Sequence, residues 1–191
     1  MTILVLLGIV VLVALWAIGA YNSLVALKNR AEAAWNQIDV QLKRRHDLVP
    51  NLVETVRGAL EYERNTLEAV VAARQRAVDA NSPAASAAAE QGLTQALGRL
   101  FALVENYPDL KANQNVLQLQ EELTNTENLI AFARQHYNDV VGQFNTKRES
   151  FPSNLIANQY GFAQREYFAA PDEERAVPPV KLTGLGVGPK P

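Results

Sequence analysis

The hydrophobic positions divide the chain into an uncharged opening run and a series of stripes with helical spacing. The opening run, "TILVLLGIVVLVALWAIGAY" at residues 2–21, contains no charged residue. A helix of this length covers about 30 Å, which is the thickness of the hydrocarbon core of a bilayer. Trp16 and Tyr21 lie near its end, where aromatic rings settle at the headgroup level. Because no basic residue precedes the run, the pattern favours a retained, single-pass anchor through residues 2–21 over a cleaved signal peptide.

A second apolar stripe follows this run directly and predicts a stalk that continues the anchor helix. Its residues are spaced by three or four positions, as on one face of a helix, and they are Leu24, Leu27, Ala31, Ala34 and Ile38. We expect this stalk to extend past shorter partner helices, where other copies of the chain would cover it. Apolar spacing resumes from Val49 to Val78, which predicts that the same helix continues through this segment.

The phase of the stripe changes within "DVQLKRRHDLVPNL", residues 39–52. The apolar positions there take one extra step of four residues, a stutter. Pro50 follows, and a proline inside a helix lacks the N–H that would bond the carbonyl of His46. We therefore expect a kink, with that carbonyl bonded by water, by Asn51 or by an arginine.

The polar residues beside the proline form a candidate contact face. This kink and contact face consists of Lys43, Arg44, Arg45, His46 and Pro50. Three interpretations stay open: a solvated or intramolecular surface, a contact with another protein, or a contact with lipid headgroups.

The remaining pattern predicts further helices. Turn residues within 79–92 indicate a loop before a second helix that ends near Pro108, and a long regular stripe from Val116 to Phe144 predicts a third helix with coiled-coil spacing. Ser153 is a candidate cap for a short fourth helix that stops before Gly161. The predicted fold is all-α: an N-terminal transmembrane helix that continues into a long antiparallel helical bundle, with three main helices plus a short fourth.

The domain organisation follows from these elements. We expect an anchor at residues 1–21, a bundle with a kinked first helix at 22–168, and a disordered tail rich in proline and glycine at 169–191. Aromatic residues concentrate before that tail, and they either plug one end of the bundle or contact a partner or the membrane interface. They are Phe151, Tyr160, Phe162, Tyr167 and Phe168.

Composition argues against several chemistries. With 18 basic against 20 acidic residues, no global charge favours a nucleic-acid partner, and the absence of cysteine excludes disulfides and thiolate chemistry. A di-iron site in a helical bundle needs Glu-x-x-His pairs, but the residues three before His46 and His136 are Lys43 and Ala133. His136 and Asp139 alone provide too few ligands for a metal ion. We expect no enzymatic activity, no cofactor and no metal.

Several long segments carry a family resemblance. They include "AAWNQIDVQLKRRHDLVPNLVETVRG" at 33–58, "LQLQEELTNTENLIAFARQHYNDVVGQFN" at 117–145 and "FPSNLIA" at 151–157. Over residues 21–168 the chain resembles the LemA family of bacterial membrane proteins. The resemblance implies a helical bundle behind an N-terminal membrane attachment and brings no catalytic residues. It also suggests membrane organisation, since one relative takes part in forming magnetosome membranes.

These observations predict a non-enzymatic, membrane-anchored scaffold of the bacterial inner membrane that self-associates into homo-oligomers. The alternative is an adaptor or regulator that binds a membrane protease or hydrolase through the basic run or the C-terminal tail. Lys28 and Arg30, which follow the anchor, favour a cytoplasmic bundle by the positive-inside rule. Lipoprotein relatives face away from the cytoplasm, so the side of the membrane stays open.

Overall fold

The computed structural model describes residues 1–168, and within this range the fold is helical without a strand. The helices are α1 (Thr2–Arg57), α2 (Arg64–Val78), α3 (Pro83–Val104), α4 (Pro108–Lys111), α5 (Gln114–Glu149) and α6 (Ser153–Gln159). The predicted all-α bundle behind a long apolar helix is confirmed. The expected disorder of 169–191 lies outside the described residues.

Helix α1 joins the predicted anchor to the bundle without interruption. It has 56 residues, or about 84 Å at the usual helical rise. Its first third exposes its apolar side chains, as a helix surrounded by lipid would. Within residues 1–168 it is the one helix that is long and apolar enough to cross a membrane. The helix also continues through Pro50.

The first helix ends earlier than the apolar spacing predicted. It stops at Arg57, residues 58–63 reverse the chain, and α2 returns alongside α1. Leu60 and Val70 are both fully buried in the distal core. A straight helix through residue 78 would leave such side chains in water, whereas the reversal buries them against α1 and α3. The expectation of one helix to Val78 was therefore wrong.

Helix α5 pairs with α1 in antiparallel orientation along the length of the bundle. Leu24 shares an apolar cluster with Phe144, and farther along the Trp35 and Tyr137 rings lie 5.4 Å apart. With its 36 residues, α5 spans about 54 Å, the same length as the part of α1 beyond Tyr21.

This pairing contradicts the expectation that the stalk extends beyond its partner helices. Four of its residues are at most 2% exposed because α5 and α6 cover them: Leu24, Ala31, Ala34 and Ile38. Leu27 is partly buried in the same packing. The apolar stripe therefore belongs to the core of a single chain, since α5 is long enough to cover it.

The helical hairpin α2–α3 packs against the half of α1 that is remote from the anchor. Helix α3 begins at Pro83, with Ser82 Oγ accepting a hydrogen bond from the Ala85 N–H at 3.3 Å. The loop expected over 79–92 is thus shorter than predicted, because the alanine-rich segment after Pro83 has high helix propensity. Helix α6 forms where the short fourth helix was predicted, although Ser153 lies inside it and does not cap it.

Candidate functional site

The basic run on α1 is divided between the interior and the surface. Arg45 and His46 are buried, at 3% and 8% exposure, and both contact the buried carboxylate of Glu90 on α3. Arg45 Nη1 donates to Glu90 Oε2 at 3.1 Å, and His46 Nε2 lies 2.5 Å from Glu90 Oε1. Of the three interpretations of this run, an intramolecular surface therefore describes its two buried members.

Arg45 also links α3 to α5. Its Nη2 donates to Thr94 Oγ1 at 2.8 Å and lies 3.6 Å from Glu127 Oε2. A buried guanidinium and a buried carboxylate are tolerated only when they are paired, since each loses its hydration on burial. We call Arg45, His46, Glu90, Thr94 and Glu127 the charge cluster; it joins the three helices at mid-height.

Pro50 leaves the carbonyl of His46 without a donor inside α1, as expected for a proline within a helix. Arg74 Nε on α2 donates to the carbonyl oxygen of His46 at 2.7 Å. Of the donors expected for this carbonyl, an arginine is the one present. The interruption in the hydrogen bonding of α1 thereby becomes an anchoring point for α2.

The rest of the predicted contact face is at the surface. Lys43, Arg44 and Pro50 are exposed. Arg44 Nη2 lies 3.9 Å from Glu122 Oε2, with both side chains at least 36% exposed, a geometry that contributes little to stability. The face available to a partner thus has two cations where the sequence suggested more.

Glu90 was missed by sequence reasoning. It is 44 residues from His46 in the chain and lies in a stretch that was interpreted as a loop. A lone glutamate among alanines and a glycine carries no signal of burial. Only the start of α3 at Pro83 would have placed it on a helix that faces α1.

An extended segment, residues 162–168, lies along α1 and α5; we call it the strap. Asn145 Nδ2 donates to the Arg165 carbonyl at 2.9 Å, and its Oδ1 accepts from the Arg165 N–H at 3.0 Å. Asn138 holds Phe168 with the same pair of bonds, at 2.8 and 2.9 Å. Each asparagine amide thus forms, with one residue of the strap, the pair of backbone hydrogen bonds that a neighbouring β-strand would otherwise form.

The late aromatic residues divide between the core and the surface. Phe168 is 3% exposed and lies near Trp35 and Tyr137, so it fills the core. Phe162 is partly buried near Phe144. Three others are at least 45% exposed: Phe151, Tyr160 and Tyr167.

A groove of about 830 Å³ lies at the end of the bundle that is remote from the anchor. We call it the distal groove. Its apolar lining includes Val53, Leu60, Leu67 and Val71, and its charged lining consists of Arg57, Glu61, Arg64 and Glu68. Tyr62, in the adjoining turn, is 97% exposed. Sequence reasoning missed this groove because it placed these residues on one straight helix.

Comparison with known proteins gives the family. Residues 34–182 match the sequence pattern of the LemA family. The chain belongs to the LemA family. With its candidate membrane helix, this LemA-family chain is a bacterial membrane-associated protein.

Individual relatives of this LemA-family chain are distant. Magnetosome proteins MamQ 1 and MamQ 2 of Paramagnetospirillum magneticum are each 26% identical over 174 residues, which cover 78% of this chain and 64% of the relative. Protein LemA of Metamycoplasma hominis is 28% identical over 162 residues, covering 83% of this chain and 73% of the relative. The chain thus spans less than two thirds of the magnetosome relatives. None of these names denotes an enzymatic activity.

Proposed function

We propose that the protein is a non-enzymatic scaffold of the bacterial inner membrane that stands upright on its anchor and self-associates through the distal groove. The observation that carries this proposal is the unbroken helix α1, which supplies both the candidate span and the central helix of the bundle. A continuous helix has no flexible joint between anchor and bundle. The distal groove is therefore held about 54 Å from the membrane.

The site of self-association differs from the one expected from sequence. The stalk is covered within the chain, so it offers no apolar surface to a second copy. The distal groove does offer one: Val71, on its wall, is 49% exposed, above a floor formed by the buried side chains of Leu60 and Leu67. Exposed apolar grooves with polar rims are typical of protein contacts.

The rim charges favour a second copy of this chain as the occupant. They comprise two arginines, Arg57 and Arg64, and two glutamates, Glu61 and Glu68. In a two-fold contact the same surface occurs on both partners, so a rim with equal numbers of both signs can pair with itself. The exposed Tyr62 ring supplies a large side chain for the apolar floor of the other copy.

Cross-linking in membranes tests this proposal. The chain has no cysteine, so Ala59→Cys, at an exposed position of the distal turn, gives a single thiol in the full chain and keeps Tyr62. We expect a bifunctional maleimide to join two copies in vesicles, and we expect Val71→Glu to abolish that product by placing like charges in the contact. Phe132→Cys, at a 72% exposed position on α5, is the matched control. Equal cross-linking at the two cysteines, or no effect of Val71→Glu, contradicts the proposal.

The adaptor alternative loses part of its basis. Arg45 and His46 are internal, so the basic run offers a protease or hydrolase only Lys43 and Arg44. Affinity purification of the Arg44→Gln and Val71→Glu variants separates the alternatives. An adaptor using the run would lose a specific hydrolase with the first variant and keep its oligomers, whereas a scaffold would lose oligomers with the second.

A further inference from the structure

The base of the bundle lies at the level where the uncharged run ends. We define the base as residues 150–160, which comprise the turn before α6, α6 itself and Tyr160. Leu24 packs with Phe144, and α5 continues from Phe144 to Glu149, about 7.5 Å closer to the anchor. In an antiparallel pair this brings the end of α5 level with Gly19.

Contacts of α1 support this placement of the base at the end of the uncharged run. Ala20, within the uncharged run, is only 6% exposed, so protein packs against α1 there. Tyr21 contacts two aromatic rings that follow α6: its ring centroid lies 4.9 Å from that of Tyr160 and 5.7 Å from that of Phe162. The chain beyond α6 is therefore attached to the last residue of the predicted span.

The outer surface of the base exposes three large apolar or aromatic side chains beside polar residues at the end of α6. Phe151 is 80% exposed, Leu155 57% and Tyr160 62%, whereas Ser153 and Ala157 on α6 face the bundle and are buried. The rest of residues 1–168 leaves most of each of these three side chains uncovered, although the Tyr160 ring also contacts Tyr21. Large exposed aromatic and aliphatic groups at the end of a membrane span are typical of the lipid interface.

We propose that the base is a second membrane-contacting surface, inserted into the headgroup layer of the same bilayer that α1 crosses. Its occupant is lipid, because Tyr21 places the base at the boundary of the span. Lys28 is exposed one to two turns above Tyr21, at the height of the lipid phosphates. Two attachments, the span and the base, fix the tilt and the rotation of the bundle on the membrane.

This inference rests on the crossing of the membrane by α1 and is independent of self-association at the distal groove. A monomer would insert its base in the same way. Failure of the cross-linking experiment would consequently leave the proposal for the base standing. Failure of a labelling experiment at the base would likewise leave self-association at the distal groove standing.

Single-cysteine labelling in vesicles tests the base. Leu155→Cys in the full chain, labelled with an environment-sensitive NBD fluorophore, is reconstituted in phosphatidylcholine–phosphatidylglycerol vesicles with and without a lipid-borne nitroxide quencher. We expect a blue-shifted emission and a loss of intensity that lie between those of a label at Leu15, inside the predicted span, and those of a label in water. A label at Phe132, high on α5, should show neither.

Two outcomes are decisive because Leu155 is exposed and its replacement should not disturb folding. Quenching at Leu155 that is no stronger than at Phe132 overturns the proposal. A blue shift without lipid-dependent quenching overturns it as well, since protein rather than lipid would then surround the label. Phe151→Cys provides an independent second position on the same surface.

Discussion

At the residue scale, the most informative atom is the carbonyl oxygen of His46. Pro50 removes its partner within α1, and the Arg74 guanidinium on α2 supplies another at 2.7 Å. A buried carbonyl without a donor destabilises a fold, so this arginine both compensates for the proline and fixes α2 to α1. The proline thereby determines which residue of the neighbouring helix must lie opposite.

A double-mutant cycle tests this relation. Arg74→Ala should lower the free energy of unfolding by about 1–3 kcal/mol, because the His46 carbonyl loses its charged donor. Pro50→Ala restores an N–H within α1, so in that background Arg74→Ala should cost about 1 kcal/mol less. Urea unfolding of the four proteins in detergent, followed by circular dichroism, gives the difference. An equal cost of Arg74→Ala in both backgrounds would show that the two residues are unrelated.

Glu90 carries the largest predicted effect of a single substitution. Glu90→Gln leaves the buried Arg45 guanidinium with only the half-exposed Glu127 carboxylate as an ionic partner and should destabilise the protein by about 3–5 kcal/mol. Glu127→Gln is the matched control, since that carboxylate is 51% exposed and its loss leaves Arg45 paired with Glu90. Thermal unfolding of the two variants compares them directly. A similar shift for both would mean that Glu90 is not the main partner of Arg45.

The phenol of Tyr137 predicts a dependence of stability on alkaline pH. Burial raises the pKa of Tyr137 above its ordinary value of 10.0, with Arg165 opposing the shift and Glu166 adding to it. The tyrosine therefore ionises at a lower pH in the unfolded chain than in the folded one. The stability that the buried, neutral phenol contributes is complete below pH 10 and is lost as the pH rises through the folded-state pKa. The phenol also donates to the Glu166 carbonyl at 2.8 Å.

Tyr137→Phe should remove the hydrogen bond, at a cost of about 1 kcal/mol near neutral pH. The difference in stability between wild type and variant should then narrow as the pH rises above 10. Urea midpoints measured for both proteins across this range provide the test. A difference that stays constant with pH would exclude a buried, neutral phenol at this position.

At the element scale, the strap depends on two asparagines of α5. Each forms two hydrogen bonds with one backbone residue of the strap, at Arg165 and at Phe168. Replacing Asn138 and Asn145 together by alanine should release the strap without unfolding α1 and α5. Hydrogen exchange should accelerate at the amides of Arg165 and Phe168 while the amides of α5 keep their protection. Unchanged exchange at these two amides would mean that the packing of Phe168 alone holds the strap in place.

Sequence patterns predicted the long elements and missed the contacts between them. The run at 2–21 and the stripe from Val116 to Phe144 are long and periodic, so local spacing was sufficient to predict α5 and the start of α1. The reversal at 58–63 was missed because apolar spacing on two antiparallel helices resembles the spacing on one. Gly58 is its only turn residue, and it keeps a helical φ of −64°.

The same limitation applies to the charge cluster and the distal groove. Periodicity identifies a buried face without stating which helix covers it, so the stalk was attributed to other copies and Glu90 was not singled out. The carbonyl of His46 was different, because proline chemistry specifies a missing donor at a known position. Local covalent chemistry was therefore predictable, and long-range pairing was not.

At the scale of the whole molecule, one continuous helix determines the proposed role. The antiparallel partner α5 supports α1 from the level of the predicted membrane surface to the distal end. The charge cluster and the Arg74 bond tie the remaining helices to this pair. Such a rod would hold the distal groove at a constant height, which suits a scaffold more than a flexibly tethered binding domain.

Energy transfer between the distal turn and the membrane surface tests this central claim most directly. A donor fluorophore on Tyr62→Cys in the full chain is reconstituted in vesicles that contain acceptor-labelled lipid, and the same donor on Leu155→Cys serves as the reference at the base. An upright rod of about 54 Å predicts weak transfer from Tyr62 and strong transfer from Leu155. Equally strong transfer from the two positions would show that the bundle lies on the membrane, and would contradict the account.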